Sequence, residues 1–555
     1  MPGMGTPELP APEGLVLRPF RGVRFAVEDP AKVTSPPYDL ISDADVEVLL
    51  DSHPNNVVRL ILPCSSRGDS SPRTLGDDGH PPFPAAPQDH PGSTSAPPSR
   101  EPAEPPSGVS LTWAGPTGSP GSSPGGPVTA DVRSSPHFRP DRTSPTGEVP
   151  VEPRYADARD TLKTWLDSGI LVPDDVPALY VYEQSGPGVL QRGLIGDVGL
   201  VDPGEHIILP HEDVFPGPIA DRLALMSTTQ ANLEPIFLLY DGDEGPATRL
   251  VDEVATSRDP LISAHTEDGL THRLWSITSP VEIAAINADL HHRQALIADG
   301  HHRYATYRVL QRQERAAQRS FTPLAAPASD TATSSHEESA DGSAAETAAS
   351  GLTGARSPES EHGEPTLGPW DFGLALLVDS RAYPPDLKAI HRVIQGLPLT
   401  EAVARAKRAW QVHDYKDLAA GLAALERAPE PAFLLAGEEG SHLLTDPDPV
   451  QLARAMPPDH SDRWNALNTS VLAEFVLPVV WGMRDNEQTV RIVHHDTDAA
   501  VRLAVRTGGT AVILKPLLVE DVLEVAAGGE RVPRKSTSFG PKPRTGLVLR
   551  TFATG

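Results

Sequence analysis

Two long stretches of this 555-residue chain cannot bury a core, and they divide the remainder into separate pieces. Residues 65–150 are dominated by Pro, Ser, Gly and Thr, lack apolar periodicity and contain Gly118-Ser119-Pro120-Gly121-Ser122-Ser123-Pro124-Gly125-Gly126. Residues 317–368 are rich in Ala, Ser, Thr and Glu, with the run Ser334-Ser335-His336-Glu337-Glu338-Ser339. Segments of such composition bury too little apolar surface to offset the entropy of ordering. Both are expected to be disordered insertions, as is a loose start at 1–13. About 400 residues remain, which fits one large domain or two coupled ones.

Charge and cysteine content narrow the classes of function. The net charge is −28, most of it outside the two insertions. So acidic a surface repels phosphate backbones, and no helix-turn-helix pattern or basic surface stands against it, so no nucleic-acid partner is expected. Cys64 is the only cysteine, which excludes an intrachain disulfide and a cysteine-rich zinc site and points to a reducing, cytoplasmic setting. Residues 1–5 begin a polar segment without the basic and apolar regions of a secretory signal. No apolar run reaches 18 residues; the longest, 471–481, includes Glu474 and Pro478 and is expected to be a core helix, so no membrane span is expected.

The densest chemistry lies in Ala295-Leu296-Ile297-Ala298-Asp299-Gly300-His301-His302-Arg303-Tyr304. A short apolar strand ends in Asp-Gly, and Tyr304, Tyr307, Val309 and Leu310 then recur at roughly helical spacing, predicting a helix over 302–313. Gly300 suits the positive φ of a tight strand-to-helix turn. Free N–H groups at the helix start, with Arg303 and the Asp299 carboxylate, would suit a phosphate and its magnesium ion. A capped turn with surface histidines is the bland alternative.

A second cluster follows a predicted strand at 206–209 and reads Pro210-His211-Glu212-Asp213-Val214-Phe215. Next come a helical pattern from Asp221-Arg222 and a strongly apolar strand, Ile236–Tyr240. Glu212 at a strand end could act as a general base on a hydroxyl, or simply cap a helix. Lysines form the third cluster. The chain has eight against thirty-nine arginines, and three of them, Lys515, Lys535 and Lys542, fall near the end. Lys535-Ser536-Thr537 and Lys542 offer ammonium and hydroxyl groups for a phosphate or carboxylate, or form a solvated turn before a predicted last strand at 546–550. Walker A, Rossmann, Gly-x-Ser-x-Gly and His-Glu-x-x-His patterns are all missing, and the adjacent His291-His292, His301-His302 and His494-His495 pairs lack zinc-ligand spacing.

Together these segments resemble the bacterial and archaeal family catalogued as domain of unknown function 1015. The resemblance is carried by Leu17-Arg18-Pro19-Phe20-Arg21-Gly22, Val33-Thr34-Ser35-Pro36-Pro37-Tyr38-Asp39, Trp165-Leu166-Asp167-Ser168-Gly169, Tyr180-Val181-Tyr182-Glu183-Gln184, Pro210-His211-Glu212, Ala220-Asp221-Arg222 and the Asp299-Gly300-His301-His302-Arg303 run. His391-Arg392 and the closing lysine segment with Phe539 and Pro541-Lys542-Pro543 also match. Asn468 and Val532 depart from it, standing where aspartate and methionine are expected.

A second, local resemblance over 209–310 is to the ParB/sulfiredoxin-like fold, closest to its free-serine kinases. It implies that Glu212 activates a substrate hydroxyl, that Asp299 holds metal or substrate, and that Gly300, His301, His302 and Arg303 contact nucleotide phosphates. Lys535, Ser536, Thr537 and Lys542 would join them, with His211, Asp221 and Arg222 at the substrate. The cofactors implied are Mg2+ and ATP or ADP, and the reaction is phosphoryl transfer to a small hydroxylated metabolite, possibly free L-serine. The alternative is a non-catalytic sensor of nucleotide or metabolite using the same pocket. About sixty residues between Pro235 and Asp299 make this chain looser than the kinases there.

The expected fold class is mixed α/β (α+β) with a ParB/sulfiredoxin-like core and additional α/β portions. A first portion at 14–64 continues at 151–204, the catalytic core spans 205–316, and a C-terminal portion spans 369–555. The closing lysine segment is expected to fold back so that Lys535 and Lys542 join Arg303 near Asp299. Neither phosphate donor, acceptor nor oligomeric state is readable from the residues.

Overall fold

The computed structural model describes residues 14–64, 152–321, 367–486 and 488–554. These fall in one compact unit, Met1–Phe83 with Val151–Gly555; the second unit, Pro84–Pro150, lies outside the described residues. So do the expected disordered start and nearly all of both expected insertions. The helix His301–Phe321 does run past 317, so the start of that stretch is helical.

The expected mixed α/β class is what is found. A nine-stranded sheet is centred on Ile236–Tyr240 and Phe372–Asp379, which pair in parallel and are buried throughout. Strands covered on both faces read as continuous apolar runs, as these do. Their side chains alternate between two cores. Phe237 and Leu239 join Leu374 and Leu376 on one face, while Ile236 and Leu238 join Ala375 and Leu377 on the other. Ala295–Asp299 pairs antiparallel with Ile236–Tyr240 and parallel with the short edge strand Ile208–Leu209. The hairpin Leu179–Gly186 and Val189–Gly199 pairs with Phe372–Asp379 on the other side, so one sheet draws strands from early, middle and late parts of the chain.

The long spacing between Pro235 and Asp299 has a structural account. It holds the helix Pro246–Ser257, the strands Ile262–His265 and Thr271–Ile277, and the helix Pro280–Leu290. The two strands extend the hairpin edge of the same sheet, away from Asp299.

A second, six-stranded antiparallel sheet runs in the order Gln411–Tyr415, Gly440–Thr445, Phe433–Gly437, Thr510–Ile513, Ile390–Ile394 and Val490–His494. The apolar run at 471–481 packs on it through Phe475, Val476 and Trp481. It is not the simple helix expected: Asn468–Val471 is α-helical, but Leu472–Val480 is a π-helix containing Pro478. A proline supplies no N–H for a regular i→i−4 bond, so the ladder must reorganise around it.

The end of the chain ties these parts together. Ser538–Gly540 pairs with Asp386–Lys388, Thr545 bridges to Ser35, and Leu549 bridges to Val23. Arg550–Thr551 pairs with Ala231–Asn232, so the strand predicted at 546–550 exists only at its last residue and continues one beyond. Arg550 is 1% exposed and lies 2.6 Å from the buried Asp197, with its other nitrogens on Asn232 Oδ1 (3.0 Å) and the Pro369 carbonyl (2.8 Å). Removing one partner of a buried pair leaves the other charge uncompensated. Arg550→Ala is therefore expected to lower unfolding free energy by about 3–5 kcal/mol, measurable as a reduced urea midpoint.

Candidate functional site

Asp299 ends its strand at a register shift between Ile297 and Asp299, a local irregularity that re-aims the side chain. Gly300 follows at φ +94, and the long helix begins at His301. A Cβ at Gly300 would also meet Arg303 Nε at 3.1 Å and Ile236 Cγ2 at 3.1 Å, so this turn needs glycine for both conformation and space.

Both oxygens of Asp299 are engaged. Oδ2 accepts from Arg303, and Oδ1 lies 2.6 Å from Lys542 Nζ. The same ammonium donates to Asp39, 503 residues away in sequence. Arg303, 5% exposed, also donates to the Pro235 carbonyl at 2.6 Å. Burial alone would raise the Asp39 pKa, but Lys542 and Arg303 outweigh it and hold the carboxyl well below the usual range. Burial likewise opposes the charge on Lys542, and Asp299 and Asp39 overcome it, raising the ammonium pKa. Tyr38 presents Asp39: its N–H donates to Glu234 Oε1 at 3.0 Å, which also accepts from Thr545 at 3.1 Å. Burial lifts the Tyr38 phenol to about 12.

Glu212 stands at the rim of this group. Thr537 donates to its Oε1 at 2.8 Å, and the same hydroxyl lies 2.8 Å from His211 Nε2. Burial pushes the Glu212 pKa up, with Asp299 adding to the rise; the Thr537 hydrogen bond, Lys535 and Lys542 pull against it. Lys535 is close enough to act electrostatically on Asp39, Glu212 and His302. The half-buried His302 accepts from the Phe215 N–H at 3.1 Å and stacks on that exposed ring at 6.0 Å. The structure thus gathers Glu212, Asp299, His302, Arg303, Lys535, Thr537 and Lys542 around one point.

Other expected residues face elsewhere. His301 is 7% exposed; its Nε2 accepts from the His211 N–H at 3.3 Å and its ring packs edge-on to His211 at 4.5 Å. It braces the turn that carries Glu212. The Ser536 hydroxyl points inward to the Pro533 carbonyl at 2.5 Å. Asp221 and Arg222 pair with each other, Asp221 accepting from Tyr155 at 2.7 Å and Arg222 donating to the Ile61 carbonyl at 2.7 Å. The Arg222 guanidinium lies over the Tyr38 ring at 4.5 Å, supporting the site from behind. Asp39 and Glu234 were not among the expected site residues. The one local cue was Asp39 beside Pro36-Pro37-Tyr38, a turn-forming run that holds a carboxylate at a fixed angle.

Residues 17–74 and 136–334 match the family described as "Protein of unknown function (DUF1015)". Over those stretches the chain is similar to that family. No curated protein matches. Among solved structures, the chain is similar to a free serine kinase in complex with AMP, at 13% identity over 63% of this chain and 87% of that one, with a TM-score of 0.28. It is also similar to a conserved hypothetical protein from Pyrococcus furiosus (12% identity, 63% and 90% covered, TM-score 0.27) and to a C-terminally truncated SbnI from Staphylococcus aureus (10%, 62% and 82%, TM-score 0.28).

Asp299 does not fit magnesium as the groups stand. One of its oxygens is committed to a lysine and the other to an arginine, and among the described residues no three His, Cys, Asp or Glu side chains come together as a metal site. Nor is any described helix long and apolar enough to cross a membrane.

The two acids around Lys542 make it the most consequential single charge here. Lys542→Met is expected to cost about 3–5 kcal/mol in urea unfolding, and adding Asp39→Asn should recover part of that loss, giving a non-additive cycle. Acid sensitivity follows from the histidines. Burial holds His211 down to about 3 and His301 well below 6.5. Folded pKa values below the unfolded one mean that their stabilisation is complete above about 6.5 and is lost as pH falls. Each neutral histidine should cost about 1.4 kcal/mol per pH unit through that window, seen as a falling thermal midpoint that His211→Gln flattens.

Proposed function

We propose that the protein is a nucleotide-dependent kinase that transfers a phosphoryl group to the hydroxyl of a small metabolite. The observation carrying this reading is Glu212: a carboxylate with a raised pKa, oriented by Thr537, at the rim of a cluster that holds Lys535, Lys542 and Arg303. Phosphoryl transfer asks for a positioned base and for cationic donors around the moving group. In the proposed step Glu212 takes the hydroxyl proton of the acceptor, and the freed oxygen bonds to the terminal phosphorus of ATP or ADP. The bond from that phosphorus to its bridging oxygen breaks, leaving ADP or AMP. Lys535, His302 and the free N–H groups at the start of the helix would receive phosphate oxygens. Lys542 keeps Asp299 and Asp39 neutralised, so that two carboxylates do not repel the donor.

A raised Glu212 pKa also supports base catalysis near neutrality, since the best base titrates close to the working pH. The acid limb of the rate profile should then lie above 4.5, the ordinary glutamate value. The test is transfer from ATP or ADP to a panel of hydroxylated metabolites led by L-serine, with Glu212→Gln beside the wild type. The expected result is transfer that the substitution lowers by about 10²–10⁴-fold while nucleotide affinity is kept. Nucleotide binding without transfer to any acceptor would overturn the kinase reading in favour of a sensor.

A further inference from the structure

Arg392 belongs to the six-stranded sheet, yet it reaches the site. It lies on the strand Ile390–Ile394, next to the sheet's edge strand, opposite Val512 on one side and Ile492 on the other, and is 3% exposed. Its Nη1 donates to the Ile390 carbonyl at 3.1 Å, and its Nη2 donates to the carbonyls of Arg534 (3.0 Å) and Lys535 (2.8 Å). Those donors go to backbone carbonyls. Burial accordingly pulls its pKa down to about 10. A buried cation spent on two successive carbonyls of a turn fixes the course of that turn.

The turn needs fixing. Lys535 has φ +53, a left-handed conformation unfavourable for a residue with a Cβ, and no glycine takes its place. The Ser536 hydroxyl closes the same turn on Pro533. Unfavourable backbone of this kind persists where surrounding contacts over-determine it, and it clusters at functional sites. Here the residue held so is a lysine whose charge is felt by Asp39, Glu212 and His302.

We propose that Arg392 is a positioning residue: it clamps the 534–535 carbonyls so that Lys535, held in left-handed backbone, directs its ammonium to a polyphosphate chain at the Glu212–Asp299 site. The ligand class rests on the phosphoryl-transfer reading. The clamp itself rests on the hydrogen bonds of Arg392 and the backbone of Lys535.

The test uses the full chain, inorganic tripolyphosphate as probe, and four variants: Arg392→Lys, Lys535→Ala, Lys535→Gly and the Arg392→Lys/Lys535→Ala double. Calorimetry gives affinity and thermal unfolding gives the midpoint. Lys535→Gly, which relieves the backbone, should melt above Lys535→Ala, while both bind tripolyphosphate about tenfold or more weakly than wild type. Arg392→Lys cannot span both carbonyls and should weaken binding by about tenfold when Lys535 is present, but add nothing when Lys535 is alanine. The proposal is overturned by equal effects of Arg392→Lys in both backgrounds, by a lowered midpoint with affinity intact, or by a wild type that does not bind tripolyphosphate. Should Arg392→Lys not fold, the glycine and alanine pair still decides: equal midpoints, or unchanged affinity in both, overturn it. The expected pattern without transfer to any acceptor would defeat the kinase reading alone, and transfer without the pattern would defeat this one alone.

Discussion

One ammonium holds the site together. Lys542 sits between Asp39 and Asp299, and Arg303 completes a group of two acids and two bases. Each of these charges would be costly to remove from water alone, and each is tolerable because the others are there. Position follows from this balance. With Lys542 anchored, the segment that carries it brings Thr537 against Glu212 and Thr545 against Glu234. Glu234 in turn grips the Tyr38 N–H and so presents Asp39 back to the lysine. The geometry is a closed circuit of contacts between residues that are remote in sequence.

The cluster also has a local charge balance unlike that of the whole chain. A net charge of −28 gives a repulsive field at a distance, but physiological salt screens that field over about 8 Å. Inside that distance the local balance governs. There Asp39 and Asp299 are matched by Lys542 and Arg303, and Lys535 acts on Asp39, Glu212 and His302 beside them. The two sheets divide the work: the nine-stranded sheet supplies Asp299 at a strand end, while the six-stranded sheet supplies the guanidinium behind Lys535.

Local patterns are legible in the chain where one short segment decides the outcome. The strand Ile236–Tyr240 is where its unbroken apolar run puts it, and Asp299-Gly300 is the strand-to-helix turn that its glycine requires. They are not legible where partners are distant. His301 and His302 are adjacent and chemically identical, yet one is buried against His211 and the other faces Phe215. Nothing in their order distinguishes them, because the difference comes from which element packs on which side. Asp39 escaped for the same reason, since its significance lies in a lysine near the other end. Ser536 misled because a hydroxyl beside lysines looks like a ligand group, when its turn needed it. The 471–481 run looked helical by periodicity, but Pro478 displaces the ladder to π geometry.

The course of the last residues has a consequence for how the protein comes into being. Ribosomes release a chain from its amino end, and early parts begin folding before late ones exist. Asp39 and Asp299 are made long before Lys542, and the strand pairing of Ala231–Asn232 waits for Arg550–Thr551. Until then two carboxylates destined for the same small space lack the cation that reconciles them. The cluster is thus closed by a segment made well after Asp39 and Asp299, and contacts closing loops of several hundred residues are slow to form because so much chain entropy is surrendered at once. A chain cut short before residue 542 would hold most of the nine-stranded sheet but not the Asp39–Lys542–Asp299 contact, which exists only once all three residues are present.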